Sequence, residues 1–269
     1  KVEIPDLSRF APSEAVQANP EALRRAARLL VEAKSPVIIA GYFGRHPQAV
    51  ASLIELAELM AIPVLDKGNR FNFPNTHPLD ITGGARECLQ QADVILALDV
   101  NDLYGSLITL NRNTRVSEYI TTPEAKIIHI SLKDMLVRSW AGDYQHLQPV
   151  DLPISADSSL AVPELVRLCR EMLGNNKKRR RDIDARYKLL RASHGQRRTK
   201  WSEEARLTAT RKDISLAFLA QEIGEVIKNE DWVLVNGTAK EWARKLWNWE
   251  QPNQYLGASG GSGLGYGPG

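Results

Sequence analysis

The chain has no apolar run near the eighteen or so residues needed to cross a bilayer, and no signal-peptide pattern at its start. A membrane partner is therefore not expected. It has little excess charge: 35 Lys and Arg against 32 Asp and Glu leave +3, too small to imply nucleic acid. It has only two cysteines, Cys88 and Cys169, far apart and outside any metal-like spacing. No metal site is expected, and two buried thiols fit a reducing, cytoplasmic setting. No Gly-x-Gly-x-x-Gly occurs, so the full dinucleotide fingerprint is missing, and no Gly-Asp-Gly occurs either. The first residue is Lys1 rather than Met and the last ones are glycine-rich, so a longer parent protein is expected.

What is present is ordinary for a globular chain: 43% apolar and 25% charged residues over 269 positions, room for one large or two ordinary domains. Its organising stretch is Pro36 to Arg45. The apolar run Val37 to Ala40 stops at Gly41, and a helical pattern follows within a few residues. Such a run, bounded by turn signals, reads as a strand buried on both faces. Gly41 and Gly44 permit a sharp turn and a close backbone approach. Ligands collect at the carboxyl ends of parallel strands. Two readings stand: the rim of a nucleotide-sized pocket that includes Arg45, or a tight strand–helix turn with no ligand.

The pattern repeats. Asn19 and Pro20 start a helix whose apolar face is Leu23, Ala26, Ala27 and Leu30. A second helix covers about Gln48 to Met60, and Ile62 to Leu65 is a second strand. Lys67 and Arg70 in the loop beyond could meet phosphate or carboxylate, or simply face solvent. His77, before Pro78, reads as a structural hydrogen-bonder. A short helix ends near Gln91, and Asp93 to Asp99 is the clearest strand. Asp99 at its end could hold ribose hydroxyls or a cation, or cap a loop. Gly105 to Thr122 reads as irregular, a loop over the site or a peripheral helix. Lys126 to Ser131 is the fourth strand, with His129 as a packing histidine. Leu152 to Ile154 is the fifth, and Val162 to Leu173 a helix with Pro163 in its first turn. Strand alternating with helix predicts a parallel α/β sheet covered on both faces.

From Asn175 to Arg211 the character changes. Lys177 to Arg181 is a basic block, either a nucleic-acid or nuclear-localisation patch or a solvated helical connector. Interleaved acids (Asp182, Asp184, Glu203, Glu204) favour the connector. A second α/β pattern then begins: a helical stripe from Leu216 to Ile227, a strand from Trp232 to Val235, a turn at Asn236, Gly237 and Thr238, and a helix from Lys240 to Trp249. A glycine turn entering a helix can cradle phosphate. Leu264 and Tyr266 in the terminal glycine-rich run argue for a folded loop close to a ligand.

These stretches together resemble the thiamine-diphosphate-dependent enzymes of the acetolactate synthase and benzoylformate decarboxylase group. The likeness lies in Pro36 to Gly44, Ile62 to Leu65 followed by Lys67 and Gly68, Phe73 and Pro74 with His77, Pro78 and Leu79, Ala125 to Ile130, Trp232 to Gly237, and the run to Gly267. It covers nearly the whole chain, in the family's order.

The resemblance implies a Rossmann-like α/β central domain over residues 19–175, after a lead-in linker at 1–18. A basic helical connector at 176–212 would follow, then the truncated start of the diphosphate-binding domain at 213–269. It implies that Asn236, Gly237 and Thr238 touch the cofactor diphosphate, and that Gly263 and Leu264 prop the cofactor in its bent shape. Asn236 departs from the acidic residue common before that glycine. Gly41, Gly44, Arg45, Lys67 and Asp99 would line any central-domain nucleotide site, for FAD or ADP. The family's catalytic glutamate and its Mg²⁺-holding segment would lie outside this chain, so no catalytic residue is expected here and the fragment alone should be inactive. The intact protein would make or break C–C bonds next to the carbonyl of a small molecule, as a homodimer or homotetramer. The alternative is a non-catalytic nucleotide-binding α/β module.

Overall fold

The computed structural model describes residues 14–68, 70–132, 146–208, 213–235 and 240–255. Helix α1 (Pro20–Glu32) starts where expected: the Asn19 side chain accepts from the N–H groups of Glu21 (2.9 Å) and Ala22 (3.2 Å), with Pro20 in the first turn. Strand β1 (Pro36–Ala40) is buried throughout. Two short 3-10 turns lead into helix α2 (Val50–Met60), which ends on Ala61 in the left-handed region (φ 47°). Strand β2 (Val64–Asp66), helix α3 (Arg86–Gln90) and strand β3 (Val94–Leu98) follow.

The stretch expected to be irregular is a short helix α4 (Leu103–Leu107) and an antiparallel hairpin of β4 (Ile108–Leu110) and β5 (Ser117–Tyr119). Strands β6 (Lys126–Ser131) and β7 (Leu152–Ser155) complete the main sheet. Helix α5 (Ser158–Leu173) begins four residues before the expected start, so Pro163 falls inside it. The reason is Asp157, whose carboxylate accepts from Ser159 N (2.8 Å) and Ser159 Oγ (2.7 Å) and so provides a stronger start than proline does.

The main sheet is parallel, in the order β2-β1-β3-β6-β7. Its register sets Ile38 beside Val64 and Leu96, and Leu96 beside Ile128. Alternation then sorts the side chains. Ile38, Leu96, Leu98, Ile128 and Ile130 pack under α1, α2 and α5, while Val37, Ile39, Ile95, Ala97 and Ile127 face α3 and α4. Both faces are covered, which is why these strands read as continuous apolar runs. The chain steps from β1 to β2 on one side, then to β3 on the other, so the order reverses between β1 and β3.

Helix α6 (Lys177–Thr208) is one unbroken helix of 32 residues, followed by α7 (Leu216–Ile227) and α8 (Lys240–Leu246). The expected strand from Trp232 to Val235 makes a single parallel bridge, Leu234 to Tyr255, because no neighbouring strand extends it among the described residues. The expected helix from Lys240 to Trp249 stops at Leu246. Trp247 and Trp249 instead join Val50, Phe71, Ala243 and Tyr255 in a cluster against the central unit.

Candidate functional site

The sequence places Gly41, Gly44, Arg45, Lys67 and Asp99 at strand ends, and the fold gathers all five on the carboxyl edge of β2, β1 and β3. Between β1 and β3 the chain stays paired past the strand ends: Gly41 N donates to Leu98 O (2.9 Å) and Tyr42 N to Asp99 O (3.0 Å). A methyl group on Gly41 would collide with Asp99 O, so the residue is glycine because the neighbouring backbone is that close. Gly44 is confined in the same way, since a methyl group there would collide with Phe71 O.

Arg45 spans this edge. Its Nη1 meets Asp99 Oδ2 at 2.5 Å and its Nη2 meets Asp157 Oδ1 at 3.1 Å. The buried Ser158 hydroxyl donates to the same Asp99 oxygen, and His46 Nε2 stands 3.5 Å from Asp157 Oδ2. Burial pushes the Asp157 carboxyl up, but Ser159, Arg45 and His46 outweigh it and hold the group below the usual carboxylate range. Asp99 itself takes a left-handed backbone (φ 49°), which an Asp tolerates better than most residues. Burial lowers His129 on β6, against the pull of Asp99 and of the Val100 backbone.

The second cluster sits beyond β2. Asp66 accepts from Gly68 N (2.6 Å), Asn72 N (3.2 Å), Asn72 Nδ2 (2.7 Å) and Arg244 Nη2 (2.8 Å). Asn72 also donates to Gly41 O (2.9 Å), while its Oδ1 accepts from Gly44 N (2.8 Å), which ties the two turns together. Lys67 is exposed, and its N–H continues the ladder to Ala40 O (2.9 Å). Arg70 lies over the Tyr42 ring at 5.8 Å. Lys240 Nζ donates to Gly68 O (2.9 Å) and sits over the Tyr255 ring at 4.7 Å. Asp80 lies in the same buried patch, hydrogen-bonded to Thr82 Oγ1 (2.6 Å). Burial raises its carboxyl to about 6, despite Arg244 and Thr82, which both act to lower it. His77 behaves as the sequence suggests: its Nδ1 accepts from Leu79 N (3.2 Å) and its Nε2 meets Glu58 at 3.1 Å.

Sequence reasoning missed Asn72, Asp157, Ser158 and Arg244. Asp157 carries a readable signal, an acid followed by two serines before a helical stripe. The other three act through partners far away in the chain, which no local pattern reports. Asn236, Gly237, Thr238, Gly263 and Leu264 lie outside the described residues. Their flanks are described. The bridge from Leu234 to Tyr255 is parallel, so the residues from which both segments continue, Val235 and Tyr255, stand at one edge. Among the described residues no group of His, Cys, Asp and Glu could hold a metal ion.

A family model described as "Thiamine pyrophosphate enzyme, central domain" matches residues 23–165, from within α1 to within α5. An acetolactate synthase of Mycobacterium leprae (strain TN) is 25% identical over 264 residues, spanning 91% of this chain and 37% of that protein. A sulfoacetaldehyde acetyltransferase of Roseovarius nubinhibens (strain ATCC BAA-591 / DSM 15170 / ISM) is 32% identical over 150 residues, 49% of this chain and 22% of that one. Among solved structures, benzoylformate decarboxylase from Polynucleobacter necessarius aligns with a TM-score of 0.60 at 15% identity, over 95% of this chain and 43% of that chain, a likeness of fold. The chain thus spans 37% of the length of the acetolactate synthase it matches.

Proposed function

Since this chain belongs to the thiamine pyrophosphate enzymes through their central domain, we propose that it is part of an enzyme that makes or breaks a C–C bond next to a carbonyl. The reaction would be acetolactate synthase-like or 2-oxo acid decarboxylase-like, on a small carbonyl compound. Supporting this, the family match covers the sheet and both of its helical layers, and the similarity to an acetolactate synthase continues through α6 to α8. In this reading residues 19–175 are the central domain, 176–212 the connector and 213–269 the start of the diphosphate-binding domain, after a lead-in at 1–18.

The cofactor would be held by Asn236, Gly237 and Thr238 at its diphosphate and by Gly263 and Leu264 beneath its bent form. What supports this is the parallel bridge between Leu234 and Tyr255, which sets the described residues that precede the two segments side by side. Bound thiamine diphosphate supplies an electron sink for carbanion chemistry. This chain's own part would be to hold and orient, through main-chain donors at Asn236 to Thr238 and an apolar prop at Leu264, while the buried Asp66–Arg244 contact fixes α8 against the central unit. Mg²⁺ would be bound through segments outside this chain, and the intact protein would be a homodimer or homotetramer with sites between subunits. No helix among the described residues is long and apolar enough to cross a membrane. Two free thiols, Cys88 and Cys169, suit a reducing cytoplasm.

The test is a titration of the intact protein with thiamine diphosphate and Mg²⁺, followed by tryptophan fluorescence and calorimetry. Saturable binding that weakens in Gly237→Val is the expected result. If thiamine diphosphate does not bind at millimolar concentration, the reading fails.

A further inference from the structure

Parallel sheets take nucleotide phosphates on free N–H groups and cations at their carboxyl edge. At this edge the main-chain donors of Tyr42, Gly44, Gly68, Asn72 and Ser159 are already taken by the chain's own oxygens. At the start of the 16-residue helix α5 the Asp157 carboxylate holds Ser159 N and Ser159 Oγ. At the end of β2 the Asp66 carboxylate holds Gly68 N, Asn72 N and the Arg244 guanidinium. At the order reversal between β1 and β3, Arg45 is shared by Asp99 and Asp157, and Tyr42 N and Gly44 N are bonded to Asp99 O and Asn72 Oδ1.

Charge and space agree with that occupancy. Arg45 is already bound by two carboxylates, so an anion brought to it would have to displace Asp99 or Asp157 and would meet their repulsion. A dinucleotide site uses its glycine so that the backbone can approach a pyrophosphate. Here Gly41 and Gly44 are approached by Asp99 O and Phe71 O instead.

We propose that the described part of the carboxyl edge, at the ends of β1, β2 and β3 and the start of α5, is closed to adenine nucleotides and flavins, with Asp66, Asp99 and Asp157 taking donor positions that ligand phosphates would need. The central unit then acts as a scaffold for the rest of the protein. The proposal is independent of the thiamine reading and survives its failure.

The experiment uses the intact, unmodified protein, saturated with thiamine diphosphate and Mg²⁺ so that the proposed cofactor site cannot take the probe. It is irradiated with azido-adenosine diphosphate, with and without excess ADP, and the labelled peptides are mapped. A second sample is denatured and its released flavin measured. The expected result is no ADP-competed label within residues 41–46, 66–72, 99–102 or 155–160, and flavin far below one per chain. ADP-competed labelling in any of those four segments, or one flavin per chain, overturns the proposal.

Discussion

Asp80 shows how burial and charge oppose each other at a single residue. Its carboxyl is raised to about 6 because burial outweighs the pull of Arg244 and Thr82. A raised carboxylate pKa means the folded state holds its proton more tightly than the unfolded chain does. The stabilisation is therefore fully present below the unfolded value near 3.8 and is lost as pH rises through about 6. Asn can keep the bonds that Asp80 Oδ1 accepts from Thr82 while removing the titration. Urea unfolding of Asp80→Asn should then show the variant gaining on the natural chain by about 2 kcal/mol between roughly pH 4 and pH 7. A gap that stays constant with pH would show that Asp80 is not the titrating group. The neighbouring charges bear on this: Arg244 and Asp66 face Asp80, and Arg197 donates to its main-chain carbonyl (2.7 Å).

Helix α6 gives the basic block a role at the level of whole elements. Arg179 donates to Ala33 O at the end of α1, and Arg180 to Gly174 O at the end of α5 (2.7 Å). Arg186 donates to Met60 O and to Ala61 O (2.9 Å) at the end of α2, and to Lys34 O (2.8 Å). Three arginines of one helix thus close the carboxyl ends of three others, where the last carbonyls are unpaired and the dipole favours a cation. Arg186 is buried enough that its pKa falls to about 10. Arg186→Ala should cost about 2–3 kcal/mol in denaturant unfolding, whereas Arg181→Ala, on an exposed position, should stay within about 0.5 kcal/mol. Equal small losses for both would mean that α6 is merely solvated. The strands β1, β3 and β6 are legible in the sequence because burial on both faces makes them unbroken apolar runs between turn signals. The solvated face of α6 is legible from its interleaved acids; its capping contacts are not, because each arginine meets a carbonyl remote in the chain. The same divide runs through the candidate site. Strand-end rules find Gly41, Gly44, Arg45, Lys67 and Asp99, but Asn72, Asp157 and Arg244 join them only through the fold.

At the scale of the molecule, the central sheet and the following unit are joined by buried polar contacts as well as by packing. Asn75 Nδ2 donates to Arg244 O (2.5 Å) and Trp247 O (2.9 Å), and its Oδ1 accepts from Trp249 N (2.9 Å). Its own carbonyl meets His194 Nε2 on α6 (2.9 Å), so three parts of the chain converge on one asparagine. The Asp66–Arg244 ion pair lies beside it, with side chains 1% and 10% exposed. Removing one partner of such a pair leaves an uncompensated charge, at a cost of about 3–5 kcal/mol. Both changes fall on the joint rather than on either core, so they should loosen the coupling before they melt the sheet. Trp232, Trp242, Trp247 and Trp249 all lie beyond α7, so tryptophan emission mainly follows that unit while far-UV circular dichroism follows every helix and strand. In the unaltered chain the two signals should change together on heating, as a single cooperative unit requires. In the double variant Asn75→Ala with Arg244→Ala the emission change should come first, at a temperature below the circular dichroism midpoint. Coincident curves in that variant would mean that the apolar cluster around Phe71, Trp247 and Trp249 holds the two units together unaided.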